Sequence, residues 1–238
     1  MEVYISINGV LRNFIKKFDH HYREYFMETN EEEYESVESV ESFDYNVKDK
    51  IQNDDLLKYY AFQSKEEYEN FCFIEFSLEI FGYSTVSYPT VMGDLNKLIY
   101  KYPNINFTIV GIDELGKAKP STLFFLSKHG FLGNNIRFIR SEDIDKEWKK
   151  CDMWVADSEQ IIDKCPKNKI AIKFNTEYNE NVIGEFEINN INKIEELCLT
   201  SLEKNTTSMS MRLLKSVARI MVLTGLMKRK SHHLQNHY

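Results

Sequence analysis

Five short runs of β-branched and aromatic residues constrain the fold of this chain more than any other feature: Val3 to Ile7, Phe107 to Val110, Ile136 to Ile139, Met153 to Ala156 and Ile170 to Phe174. They read as buried strands. After the first gap, the stretches between them, such as Pro120 to Lys128 and Ser141 to Lys150, are polar and helical in spacing. Strand and helix therefore alternate as in a parallel α/β sheet, and right-handed crossovers turn that alternation into layers. The expected fold is α/β, a Rossmann-like three-layer sandwich around a five-stranded parallel sheet.

The first gap, residues 14–104, is too long for a crossover and reads as an insertion after strand one. Within it, Glu28 to Asp44 carries eight acidic residues and no basic ones, the composition of a solvated segment. Asp54 to Phe62 and Lys65 to Phe81 have helical apolar spacing rich in Tyr and Phe, which predicts a helical cap over the sheet. Residues 1–13 and 105–200 then form the core, and 201–238 a tail with no acidic residue after Glu203. In that tail Arg212, Lys215, Ser216 and Arg219 share one helical face, and Met211, Leu214, Ala218, Met221 and Val222 the other. A basic amphipathic helix with a Met-rich apolar side suits a groove on another chain.

Charge and cysteines narrow the function classes. A formal net charge of -7 at pH 7 argues against the whole chain being a nucleic-acid binder, because phosphate backbones attract basic surfaces. Cys72, Cys151, Cys165 and Cys198 show no CxxC spacing, and a reducing, cytosol-like compartment is expected. No apolar run is long enough to span a bilayer.

The first strand and its turn read Val3-Tyr4-Ile5-Ser6-Ile7-Asn8-Gly9-Val10-Leu11-Arg12-Asn13. This resembles the first motif of the haloacid dehalogenase-like (HAD) superfamily, an apolar strand followed by Asp-x-Asp-Gly-x-Leu. The resemblance implies that Ser6 stands where the nucleophilic, magnesium-binding Asp belongs, and Asn8 where the general acid/base belongs. Elementary chemistry agrees on the consequence. A serine without a base is a weak nucleophile, Asn exchanges no proton near neutral pH, and magnesium requires anionic oxygens. Neither an active phosphohydrolase nor a cofactor is expected.

The same resemblance, covering about residues 1–175, places the later motifs. Gly111 stands where the second motif has Ser or Thr, with Thr108 a poorer candidate. Arg140 or Lys146 occupies the basic third motif unless each is a surface charge. Asp157, with Asp163 six residues on, matches the acidic fourth motif, although an Asp there also reads as a cap for the helix over Ser158 to Ile162. More narrowly, Gly111 to Leu126 is similar to sequence in proteins of crAss-like bacteriophages, which implies a degenerate HAD-like virion protein, such as a neck or tail ring subunit. Its partners would be other virion proteins and further copies of itself, without small-molecule substrate, membrane or nucleic acid. Its location would be the virion, after synthesis in the bacterial host cytoplasm.

Three enzyme-like readings compete. Gly111 to Lys117 fits a GxxxxGK phosphate loop after a strand, but Ala118 replaces the Ser or Thr that would hold magnesium. A residual or altered Mg-dependent phosphatase or 5'-nucleotidase would need Asp157 and a carboxylate from the cap, such as Asp94. His20-His21 and the terminal His232, His233 and His237 match no closed zinc spacing and read as an exposed loop pair and a tail.

Overall fold

A computed structural model describes residues 1–28, 44, 45, 47 and 50–198. The chain divides into two compact units, Met1–Lys193 and Ile194–Tyr238. The first holds both the sheet and the insertion. In the second, residues 194–198 are helical. Most of the acidic stretch and all of the proposed interaction residues (Arg212, Lys215, Arg219, Met211, Leu214 and Met221) lie outside the described residues.

The sheet is wholly parallel, in the order β3-β2-β1-β4-β5-β6. Its strands are β1 Glu2–Ser6, β2 Asn106–Ile112, β3 Ile136–Ile139, β4 Met153–Ala156, β5 Ile170–Phe174 and β6 Phe186–Ile188. Six strands thus replace the expected five. The added strand is three residues, Phe-Glu-Ile, too short and too mixed in polarity to stand out before β5 is there to pair with it. The central position of β1 explains its composition: Val3, Tyr4 and Ile5 are fully buried between neighbours on both sides, in register with Phe107, Thr108 and Ile109 and with Met153, Trp154 and Val155.

Helices follow the strands as the pattern predicts. We number them α1 Phe14–Tyr22, α2 Lys65–Asn70, α3 Val91–Lys101, α4 Lys119–Lys128, α5 Ile144–Trp148 and α6 Glu159–Asp163. Pro120 sits in the first turn of α4, where its missing N–H has no partner to lose. On one face of the sheet, Ile144 and Trp148 of α5 and Ile161 and Ile162 of α6 pack with Tyr4, Val110 and Trp154. The strand order reverses beside β1, where ligands of open parallel sheets lodge outside the carboxyl ends of the strands.

The insertion leaves and re-enters the core at a narrow neck. Asn13 N–H donates to Thr85 O at 2.9 Å and Ser87 N–H to Leu11 O at 3.0 Å, so the chain returns at 85–87 and α3 follows the neck. Within the insertion α1 runs into π-helical Arg23–Glu28, and α2 into π-helical Phe71–Glu75 and Leu78–Gly82. Helix α2 starts where Ser64-x-x-Glu67 spells a start: Ser64 Oγ accepts from Glu67 N–H at 3.1 Å and Glu67 Oε2 from Gln63 N–H at 2.5 Å. An aromatic core holds these pieces together, centred on Phe18, Tyr22, Tyr60 and Phe71. Tyr60 meets Phe18 and Tyr22 edge-on at 4.9 and 4.8 Å, the geometry aromatic quadrupoles favour.

Candidate functional site

A cavity of about 570 Å³ opens at the carboxyl ends of β1, β2 and β4, roofed by the insertion. Ser6, Asn8 and Asp157 all line it. Three of the residues singled out in the sequence are thereby brought together, although each is engaged in a way its sequence position did not disclose.

At the end of β1, Ser6 is buried and its Oγ accepts the indole N–H of Trp154 at 3.0 Å. That partner is a donor, not a base. The loop after β1 then folds back tightly, Leu11 and Arg12 N–H both donating to Ile7 O at 3.0 and 2.9 Å. That turn drives Arg12 into the interior, where it is 1% exposed. Its Nε donates to Asn8 Oδ1 at 3.0 Å and Nη2 donates to the same oxygen. Nη1 donates to Phe81 O at 2.7 Å and to Thr122 Oγ1 at 3.3 Å. The rings of Phe81 and Phe125 lie 4.9 and 5.3 Å from the guanidinium carbon. Burial pushes the Arg12 pKa down to about 9, which still leaves it charged at neutral pH. Asn8 is thus the neutral acceptor of a buried cation, and Arg12 ties the β1 loop to the insertion and to α4.

At the end of β4, Asp157 is 5% exposed. Its Oδ2 accepts the Tyr178 hydroxyl at 2.5 Å, and Asn179 Nδ2 donates to its backbone carbonyl at 3.0 Å. A Cβ on Gly9 would fall 1.9 Å from Asp157 Oδ2, and Gly9 has φ +70°, so only glycine fits this closure of the β1 loop over the acid. Burial first, then the charge of Asp54, pushes the Asp157 carboxyl up to about 7, against the pull of the Tyr178 hydrogen bond. Asp54, from the insertion, lines the same cavity and is itself shifted upward, by burial first, with the Ser158 hydroxyl opposing. The helix-cap reading of Asp157 is corrected: Ser158 is the N-cap of α6, without a side-chain capping bond.

Other expectations change as well. Gly111 lies within β2, where a Cβ would touch Ile7 and Phe138; the β2 residues lining the cavity are its neighbours Val110 and Ile112, so Gly111 is not a cavity residue. Thr108 turns to Glu2, donating to Oε1 at 2.6 Å at the far end of the sheet. Arg140 and Lys146 are surface residues paired with Glu142 and Asp143. Asp94 does not line the cavity: it accepts from Thr90 at 2.8 Å in the first turn of α3, and the insertion's carboxylates that do line it are Asp54, Asp55 and Glu69. The GxxxxGK loop is closed on itself, because the buried Asp113 carboxylate accepts the N–H groups of Lys117 and Lys119 at 3.0 and 3.1 Å, the donors a phosphate would need. His20 and His21 sit on α1, not in a loop, and the His21 side chain is only 12% exposed.

The cavity wall is strongly acidic. Among the described residues it carries Asp54, Asp55, Glu69, Glu114, Asp157, Glu159 and Asp163 against Lys58 and Lys65, and both lysines are paired, with Asp55 and Glu69 at 3.1 Å each. A phosphate dianion would meet net repulsion there. The donor set at the sheet end fits magnesium poorly too. Asn8 Oδ1 already faces a guanidinium and Ser6 Oγ an indole N–H, which among the described residues leaves Asp157 as the strand-end carboxylate lining the cavity, and hard cations require several oxygen ligands.

Trp154, Arg12, Tyr178 and Asp54 were not found by sequence reasoning. Trp154 lies inside an apolar strand and reads as core, while the other three reach the site only through the fold. By sequence, no family model and no curated protein matches the chain. Its fold is similar to that of a Burkholderia xenovorans LB400 protein described as a haloacid dehalogenase-like hydrolase, with a TM-score of 0.52 and 10% identity over 84% of this chain and 97% of that one. The architecture is therefore HAD-like and Rossmann-like, an α/β fold around a parallel sheet.

Proposed function

We propose that this chain is a catalytically inactive protein on a HAD-like scaffold, serving as a structural or assembly component of a phage virion, such as a neck or tail ring subunit. One observation carries the inactive half of this reading: both positions at the β1 end that would do the chemistry are neutral and already bonded, Ser6 to Trp154 and Asn8 to Arg12. General acid/base help alone is worth about 10²- to 10⁴-fold in rate, and the nucleophile is missing with it. The virion half rests on the phage-like stretch Gly111 to Leu126 and on the basic, Met-rich composition of residues 208–227 as a docking element.

Two measurements test the two halves. With magnesium and phosphomonoesters, including nucleoside 5'-monophosphates, the native protein gives no turnover above background. In purified particles the protein is present at stoichiometric abundance and forms oligomers in isolation. A monomer absent from particles would remove the structural role. The alternative is a residual or altered Mg-dependent phosphatase or 5'-nucleotidase, favoured by the facing acids Asp157 and Asp54. It requires native turnover that both Asp157→Asn and Asp54→Asn abolish.

A further inference from the structure

We propose that His20, His21 and Glu24 form a binding site for a divalent transition ion of the zinc class, on the turn where α1 passes into the π-helical segment. Two imidazole nitrogens and one carboxylate oxygen there all lie within 4.8 Å of one another. Glu24 Oε2 stands 3.7 Å from His20 Nε2 and 3.3 Å from His21 Nδ1, since residues three and four apart share a helix face. Zinc bonds to nitrogen and carboxylate oxygen are about 2.0–2.2 Å, so drawing the three atoms around one ion takes small side-chain rotations. The two side chains that must move are the free ones: His20 and Glu24 are 62% and 56% exposed.

His21 is the fixed anchor. Its ring stacks on Phe76 at 5.8 Å and 20°. Among the described residues its Nε2 is buried without a hydrogen-bond partner, so Nδ1 is the nitrogen left to work, and it points to Glu24. The charges around the cluster are Lys17, which opposes a cation, and Glu24 and Glu79, which favour one. Arg23 does not compete for Glu24, because its Nε is held by Asp19 at 3.0 Å. Two imidazoles with one carboxylate suit zinc, cobalt, nickel or copper over magnesium or calcium, which prefer all-oxygen sets. The site is separate from the cavity and does not depend on the reading given to it.

The test uses the full-length chain with His232, His233 and His237 changed to Ala in every arm, so that the other histidine cluster does not contribute. Cobalt absorption and zinc calorimetry should report one equivalent of bound ion. His20→Ala and Glu24→Gln should each weaken binding by at least about tenfold with an unchanged circular dichroism spectrum, and magnesium should not compete. Since His20 is exposed, its variant stays informative if His21→Ala misfolds. Absence of cobalt binding, or an affinity that His20→Ala leaves unchanged, overturns the proposal.

Discussion

The ends of β1 and β4 lie side by side in one cavity, yet they treat their polar groups in opposite ways. At β1 the groups are uncharged and engaged as acceptors: Ser6 receives a buried indole N–H and Asn8 receives a buried guanidinium. At β4 a carboxylate is kept, but in surroundings that favour its protonated form, with Tyr178 bonded to it and Gly9 folded over it. The neutral groups at β1 serve as structural ties, whereas the acid at β4 costs free energy whenever it ionises. The contrast teaches that a polar residue at a strand end is read from what it is bonded to, not from its position.

The largest effect should come from cutting the tie at β1. Arg12→Ala leaves Asn8 Oδ1, Phe81 O and Thr122 Oγ1 without their donor and should cost about 3–5 kcal/mol, seen as a lower urea midpoint with an unchanged slope. Next, Gly9→Ala drives a methyl into the Asp157 carboxylate from a left-handed backbone and should cost about 2–4 kcal/mol. Part of that loss, about 1–2 kcal/mol, should return in an Asp157→Ala background, because the two residues share one space.

The pH profile sharpens the comparison further. The Asp157 carboxyl titrates at 3.8 when unfolded and near 7 when folded, so the folded state binds the extra proton between those values. Its contribution is most favourable below about pH 4 and declines as pH rises through 7. Asp157→Asn should flatten that decline and leave the variant more stable than the native chain at pH 8, as thermal melts across pH would show. The smallest effect belongs to Trp154→Phe, which removes one hydrogen bond to Ser6 and should cost about 1 kcal/mol, plus the packing of the lost ring.

Much of the scaffold was legible before any coordinates. Five strands declared themselves as short runs dominated by β-branched and aromatic residues, and α2 by the helical apolar spacing of Lys65 to Phe81. The sixth strand was hidden because Phe186-Glu187-Ile188 is a strand only by pairing with β5. At the site, Ser6, Asn8 and Asp157 were visible as strand-end residues, but their states were not. Arg12 reads locally as a surface cation, and only the tight return of the β1 loop buries it. Asp54 and Tyr178 reach the cavity from 103 residues before and 21 residues after Asp157, through contacts that no local pattern encodes. The His20, His21 and Glu24 spacing was readable on a helix and was missed because the pair was placed in a loop.

The central proposal is that the cavity does not accommodate a phosphoryl group. It is tested most directly by measuring the thermal stability of the native chain with magnesium and a phosphoryl mimic, beryllium trifluoride or orthovanadate. The account predicts no stabilisation, because the β1 end lacks carboxylates and the wall repels anions. A rise in melting temperature that requires both magnesium and the mimic, and that Asp157→Asn removes, would contradict it.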